Sequence, residues 1–339
     1  MFKRLGFWVL SVLLLTLVID CALGQPGGWE RARRVHHRYR DRISALPEVV
    51  GSAVGEDEQD GPVIHVLLER LNGRGLPRTI EGIPVRPIVT GKIYSLAFGW
   101  RPSRQNTNPY YYNRPVPIGV STGNANEGSA GTIACRLIHG SGNVYALSNN
   151  HVYALENGAE IGDIILQPGL YDIKDYVGNE AKYFLGYLED FCTIDFAETA
   201  ENRIDAAIAF STTGYLGNRT PAGGYGLPKS NAMGVDELKV RLPVTKYGRT
   251  TKLTTGRIYA LNATVKVQYS SGVARFVDQI LITPGSFSKA GDSGSLVVAA
   301  DAANYRRPVG LLFAGSSTVT VANPIEYVLD HFELDIDGE

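Results

Sequence analysis

The feature that most constrains this chain is the hexapeptide Ala290-Gly291-Asp292-Ser293-Gly294-Ser295, which runs directly into the apolar stretch Leu296-Val297-Val298. A hydroxyl between two glycines, at the mouth of a buried strand, sits where the backbone can turn tightly and leave the side chain reachable. Ser293 is therefore a candidate nucleophile. An unassisted serine hydroxyl is a weak one, so the reading requires a base and a carboxylate to orient it.

Of the six histidines, His36 and His37 fall in a basic helical stretch and His65 in an early strand, all distant in sequence from Ser293. His139 precedes a Gly-Ser-Gly turn and His331 lies near the carboxyl end, so both are expected to face solvent. His151, in Ser148-Asn149-Asn150-His151-Val152, directly follows an apolar strand, where a rigid element ends and a side chain can be aimed into a cleft. The orienting carboxylate should be buried, because water then cannot compete for the imidazole. Asp205 opens the apolar run Ala206 to Phe210 and would be costly there without a partner, which His151 can supply. Asp195 is the runner-up.

Around these residues the organisation is mainly β. From Pro117 onward, apolar runs of five to eight residues recur between turn signals with no alternating helices, the pattern of sandwiches or barrels. The runs include Val144 to Ser148, Tyr183 to Leu188, Phe276 to Thr283 and Leu296 to Ala299; a last helix is expected from Pro324. Upstream, Trp29 to Leu46 has helical spacing with a basic face (Arg31, Arg33, Arg34, Arg38, Arg40, Arg42) that is either solvated or set against anionic lipid. Strand-like runs at Glu48 to Val54, Val63 to Leu68 and Ile83 to Val89 complete a small α/β unit over residues 25–98. Residues 99–116, rich in proline, asparagine and tyrosine without periodicity, read as a linker to a domain over residues 117–339.

Residues 1–24 carry a charged head, an apolar middle and a small-residue cleavage pattern, the outline of a secretory signal peptide and of a secreted or periplasmic protein. An uncleaved membrane anchor is the alternative, favoured by the arginines that follow. Cys135 and Cys192 would then meet oxidising conditions and could form one disulfide; equally, they read as two small buried apolar residues. Neither has metal-ligand company. With 33 Lys and Arg against 34 Asp and Glu, nothing in the overall charge speaks for a nucleic-acid partner. Oligomeric state is not legible.

In chain order the constellation is His151, Asp205, Ser293, and with Gly-Asp-Ser-Gly it resembles the trypsin-like serine proteases of the chymotrypsin clan, nearest to a bacterial branch related to plant narrow-leaf-type proteins. Gly131-Thr132-Ile133, Ser148 to Ala154 and Val309 to Ser316 extend the resemblance over about residues 117–334. It implies two six-stranded β-barrels with a Ser-His-Asp triad between them, behind the small α/β domain. It further implies a peptide or protein substrate, no cofactor, and an oxyanion hole from the amides of Gly291 and Ser293. Tyr247-Gly248-Arg249-Thr250-Thr251 resembles a stretch whose arginine pairs with the acid before the nucleophile, so Arg249 is expected on Asp292 unless it is a surface hairpin arginine. Ala314 and Gly315 align with the strand that binds substrate backbone. Phe287, six residues before Ser293, stands where a basic preference would need an acid, which points to an apolar or small side chain in the substrate. Asn149-Asn150-His151-Val152 departs from the Ala-Ala-His-Cys of animal digestive members.

Serine endopeptidase activity through an acyl-enzyme is the reading these residues favour. A non-catalytic binding or assembly protein on the same scaffold, and a self-processing or esterase variant, are the alternatives.

Overall fold

The computed structural model describes residues 27–71, 75–96 and 110–339. The leader at 1–24 and most of the linker at 99–116 lie outside the described residues. The fold class is the expected one, mainly β, with two sheets wrapped around separate apolar clusters.

The amino-terminal unit begins with helix α1 (Gly28–Ser44), whose Ala32, Val35 and Ile43 pack on strands β1 (Val49–Asp57) and β2 (Gly61–Leu68). Strands β3 (Thr79–Ile80), β4 (Ile83–Val89) and β5 (Ile93–Ser95) follow. The basic face of α1 is partly absorbed internally: Arg40 is buried and donates to Glu201 at 2.5 Å, and Arg38 pairs with Glu81 at 2.7 Å.

The first sheet after the amino-terminal unit contains β6 (Ser121–Asn124), β7 (Gly131–Thr132), β8 (Arg136–Ile138), β9 (Val144–Ser148), β10 (Ile164–Leu166), β11 (Phe184–Phe191) and β12 (Ala207–Ser211). Short helices α2 (Asn150–Tyr153) and α3 (Glu180–Tyr183) interrupt it. With the carboxyl-terminal β19 (Asp335–Ile336) it orders as β19-β8-β9-β12-β11-β10-β6-β7, a half-barrel rather than the six-stranded barrel implied by the resemblance. The second is a closed six-stranded barrel of β13 (Pro243–Gly248), β14 (Lys252–Gln268), β15 (Val273–Thr283), β16 (Leu296–Ala299), β17 (Pro308–Gly315) and β18 (Thr320–Pro324). Closure comes from β13, which pairs with both β16 and β14. Helix α4 (Ile325–Phe332) starts after Pro324, whose fixed φ suits a helix entry.

Strand β14 is 17 residues long and bulged opposite β15, with Tyr269 just beyond its end. Its distal half projects far enough to pair with β1, at Gly51 with Val265 and Val54 with Leu261. The strands β1, β2, β4 and β3 of the amino-terminal unit thereby continue the sheet of the second barrel.

Two buried histidines tie pH to this junction. His36 hydrogen-bonds Ser52 at 2.9 Å, and burial, reinforced by the Arg40 charge, pulls it down to about 4. His65 stacks on Tyr259 of β14 at 4.8 Å, and burial likewise brings it to about 4. The unfolded chain takes up both protons below about pH 6.5 while the folded chain resists until about pH 4, so stability falls as pH drops through that window. The urea midpoint is expected to fall between pH 6.5 and 4, and the His36→Gln, His65→Gln double variant to show a clearly flatter dependence.

Candidate active site

His151 lies in α2, one turn beyond the end of β9, so the rigid ladder Ala207–Ser148 to Ser211–Val144 fixes where its ring points. Both His151 and Asp205 have fully buried side chains. His151 Nδ1 meets Asp205 Oδ2 at 2.5 Å, and its backbone N–H donates to Asp205 Oδ1 at 3.2 Å. An ionised carboxylate only accepts, so Nδ1 carries the proton and Nε2 of the neutral ring is a lone-pair base. Nε2 is buried without a protein hydrogen-bond partner among the described residues. Asp195 is exposed and turned to its own loop, accepting from Ala197 N–H at 2.8 Å, so the structure pairs Asp205 with the imidazole. His139 and His331 are exposed, as expected.

Two groups outside the sequence reading complete this pair. Tyr269, just past β14, donates its hydroxyl to Asp205 Oδ2 at 2.8 Å. Burial first, and then the carboxylate charge, push that phenol well above its ordinary pKa, keeping it a donor. Asn323 of β18 accepts from Asp205 N–H at 3.0 Å. Asp205 is thus satisfied from both sheets. Tyr269 carried only an apolar-strand signal in sequence, since its partner lies 64 positions away.

Ser293 sits in a turn whose glycines are obligatory. Gly291 has φ of +92° and Gly294 +89°, and a Cβ on Gly294 would stand 2.1 Å from Thr132 O. The same Cβ would lie 2.4 Å from Ser148 Oγ, which places the nucleophile turn beside the end of β9 that leads to His151. Thr132 locks the turn to the half-barrel: its N–H donates to Ser293 O at 2.7 Å and its Oγ1 to Gly291 O at 2.9 Å. Ser293 Oγ donates to Phe313 O at 3.3 Å.

The expected Arg249–Asp292 pair is not formed. Arg249 makes a bidentate bond to Asp172, Nε to Oδ2 at 2.7 Å and Nη2 to Oδ1 at 2.6 Å, which joins the two sheets. Asp292 instead accepts from the Thr250 and Thr251 amides at 2.9 and 3.1 Å, from Lys289 N–H at 2.9 Å and from Thr251 Oγ1 at 2.7 Å. Its buried cation is Lys246, with Nζ 3.6 Å from Oδ2. The planar arginine fork matches the two oxygens of the buried Asp172, whereas Asp292, already ringed by amides, has room for a point charge. Arg249 still belongs to the loop, since a Cβ on Gly291 would lie 2.6 Å from its Nη1.

The other expectations resolve as follows. Cys135 and Cys192 are both free thiols, so the disulfide reading is corrected; Cys135 lies in the half-barrel core and its thiol is pushed up by burial. Phe287 is buried in the apolar cluster of the second barrel with Val297, Val309 and Ile282. Ala314 and Gly315 are paired antiparallel with Ser95 and Tyr94 of β5.

Burial lowers Lys246 to about 8, with Asp292 opposing the shift. Replacing it by methionine keeps the volume but leaves the Asp292 carboxylate without its cation. Lys246→Met is therefore expected to lower unfolding free energy by about 3 kcal/mol in denaturant titrations, the usual loss when one partner of a buried pair is removed. A change under about 1 kcal/mol would mean that the amides alone hold Asp292.

Comparison with known proteins gives distant likenesses. The model of the Nal1 C-terminal domain matches residues 236–322. No curated protein matches the chain in sequence. Among solved structures, a glutamic acid-specific serine protease that uses a histidine triad in substrate binding is 18% identical, with a TM-score of 0.45 over 65% of this chain and 100% of its own. Thermobifida fusca protease A is 15% identical at a TM-score of 0.45, over 66% of this chain and 99% of its own. Nocardiopsis protease is 16% identical at 0.45, over 65% and 98%. These are likenesses of fold, to bacterial chymotrypsin-like serine proteases.

Proposed function

We propose that this chain is a serine hydrolase acting on peptide bonds through His151, Asp205 and Ser293. The observation that carries the reading is the His151–Asp205 pair, fully buried, with Nδ1 committed to the carboxylate and Nε2 left as an unpartnered base. A buried polar nitrogen without a partner is costly, and such groups are retained where chemistry uses them.

In this mechanism Ser293 Oγ turns from the Phe313 carbonyl towards Nε2 and attacks an acyl carbon. His151 takes the proton, and Asp205 stabilises the imidazolium while Tyr269 holds Asp205 in place. The amides of Gly291 and Ser293 receive the oxyanion; loss of one such donor typically lowers rate about 10²- to 10³-fold. Collapse breaks the C–N bond, His151 returns its proton to the departing nitrogen, and water then releases the acyl group. The leader-like sequence of residues 1–24 supports export as the setting for this activity.

Labelling by a fluorophosphonate probe is expected for the wild type and absent in Ser293→Ala; retained labelling of that variant would move the nucleophile elsewhere. Tyr269→Phe deletes one hydroxyl and one bond to Asp205, and kcat/KM is expected to fall about tenfold with the fold intact. A binding scaffold without catalysis would leave the wild type unlabelled even after the substrate groove is cleared.

A further inference from the structure

The strand that should bind substrate already has a peptide on it. β5 lies antiparallel to β17, with Ser95 opposite Ala314 and Tyr94 opposite Gly315. One residue further, Leu96 N–H donates to Phe313 O at 3.1 Å, and Leu96 O accepts from Gly291 N–H at 2.6 Å. Gly291 N–H is one of the two amides assigned to the oxyanion. The Leu96 carbonyl therefore occupies the position of the bond to be cut, and Tyr94, Ser95 and Leu96 occupy the positions of the residues before it. The side chain agrees with the backbone. Leu96 packs against the apolar cluster that includes Phe287, and its Cδ1 is 3.3 Å from where a Cβ of Gly315 would stand. Ile93 is fully buried among Val267, Phe313 and Ala314, while Tyr94 is 52% exposed, the alternation of a strand laid in a groove. On its other edge β5 pairs in parallel with Val267 and Gln268.

We propose that the peptide bond between Leu96 and the next residue in the sequence, Ala97, is this site's own first substrate, and that the Leu96 carboxylate left behind is a tethered product inhibitor. The proposal rests on the serine-hydrolase reading above. Ser293 Oγ adds to the Leu96 carbonyl carbon and its proton passes to His151 Nε2. The carbonyl electrons move to the oxygen held by Gly291 N–H. Reformation of the carbonyl expels the Ala97 nitrogen, which takes the proton from His151. Water, activated by the same nitrogen, converts the Leu96–Ser293 ester to a free carboxylate and regenerates the serine. The bond lost is one amide and the molecule consumed is one water.

After the cut the strand has no covalent link to the catalytic region, yet β1 remains laddered to β14 and Ile93 remains buried, so the amino-terminal fragment stays in place. The Leu96 carboxylate would then sit on the Gly291 amide and hold the groove. The same contacts define what an external substrate should look like: an extended segment with leucine, or a side chain of that size and polarity, before the cut, and a tolerant exposed position two residues earlier.

The test uses the full chain as wild type, Ser293→Ala, Leu96→Met and Leu96→Asp, followed by intact mass and amino-terminal sequencing. The wild type is expected to give two polypeptides, one ending at Leu96 and one beginning at Ala97, that co-elute under native conditions. The rate should be first order and unchanged over about a 100-fold range of protein concentration, as for a tethered substrate. Ser293→Ala should remain whole, Leu96→Met should still be cut, and Leu96→Asp should slow by about 100-fold or more, because a carboxylate would lie half-buried against the apolar cluster. Ser293→Ala removes a single oxygen and so guards against a folding artefact. All variants are also treated with the fluorophosphonate and with a chromogenic Ile-Tyr-Ser-Leu anilide. If the wild type or Leu96→Asp is labelled or hydrolyses the anilide while the wild-type chain stays whole after Leu96, self-cleavage is wrong and the hydrolase reading stands. If no variant is labelled, cut or active on the anilide, both fail. A cut that persists in Ser293→Ala, or whose rate scales with concentration, also overturns the proposal.

Discussion

The structure depends on keeping one carboxylate ionised where water cannot reach it. Asp205 is fully buried at the start of β12, and an unpaired charge there would be destabilising by several kcal/mol. Its oxygens are instead filled by the His151 amide and ring and by the Tyr269 hydroxyl, while its own backbone is taken up by Asn323 and Asn149. His151 and Asn149 belong to the half-barrel, Tyr269 and Asn323 to the closed barrel. The charge is therefore fully satisfied only when the two sheets are docked, whereas the bond that commits the imidazole to a single tautomer forms within the half-barrel.

The same device recurs twice nearby, with different cations. Asp172 takes the arginine fork of Arg249 and the Ser121 hydroxyl at 2.5 Å, and Asp292 takes Lys246 with a ring of amides. Each acid lies within the seam between the sheets or in the turn that carries Ser293. The turn that carries Ser293 is thus held by Asp292 and by Thr132, so its two left-handed glycines are fixed by the fold itself. Electrostatic preorganisation of this kind avoids reorganisation during reaction, which is where oxyanion sites gain their effect.

What could be read from sequence divides along this line. Ser293, His151 and Asp205 each sit at a strand end with a local signature, and the strands Val144 to Ser148 and Leu296 to Ala299 were bounded by turn chemistry that the structure keeps. The partners of those residues were not legible. Tyr269 reads as one more apolar strand residue, Lys246 as a polar position on an edge, and Asp172 as a loop acid; their roles come from contacts between segments about 46 to 77 residues apart. The resemblance assigned Arg249 to Asp292, but the fork takes both oxygens of Asp172 while Asp292 is already ringed by amides. The cysteines also fail as a pair. Cys135 lies in the half-barrel core and Cys192 is half-buried at the edge of the same cluster, its carbonyl taken by Asn150, and both thiols are free.

The length of β14 connects these two levels. A strand of 17 residues is far longer than a small barrel needs, and only its first part closes the ring with β13. The remainder, kept in register with β15 through bulges at Ala260 and Ala263, serves as a platform for β1 on one edge and for β5 near its end. A two-residue pairing such as β5 with Val267 and Gln268 is too short to hold a peptide by itself. It is sufficient here because β1 has already fixed the position of the amino-terminal unit and Ile93 is anchored in the core beneath. Occupation of the groove by residues 94–96 is therefore a consequence of tethering rather than of intrinsic affinity, and any event that loosens the β1–β14 ladder weakens it. His65 of β2, neutral by burial, reaches across β1 to stack on Tyr259 of β14. Acidification would then act on the site through the platform, loosening the groove from outside it.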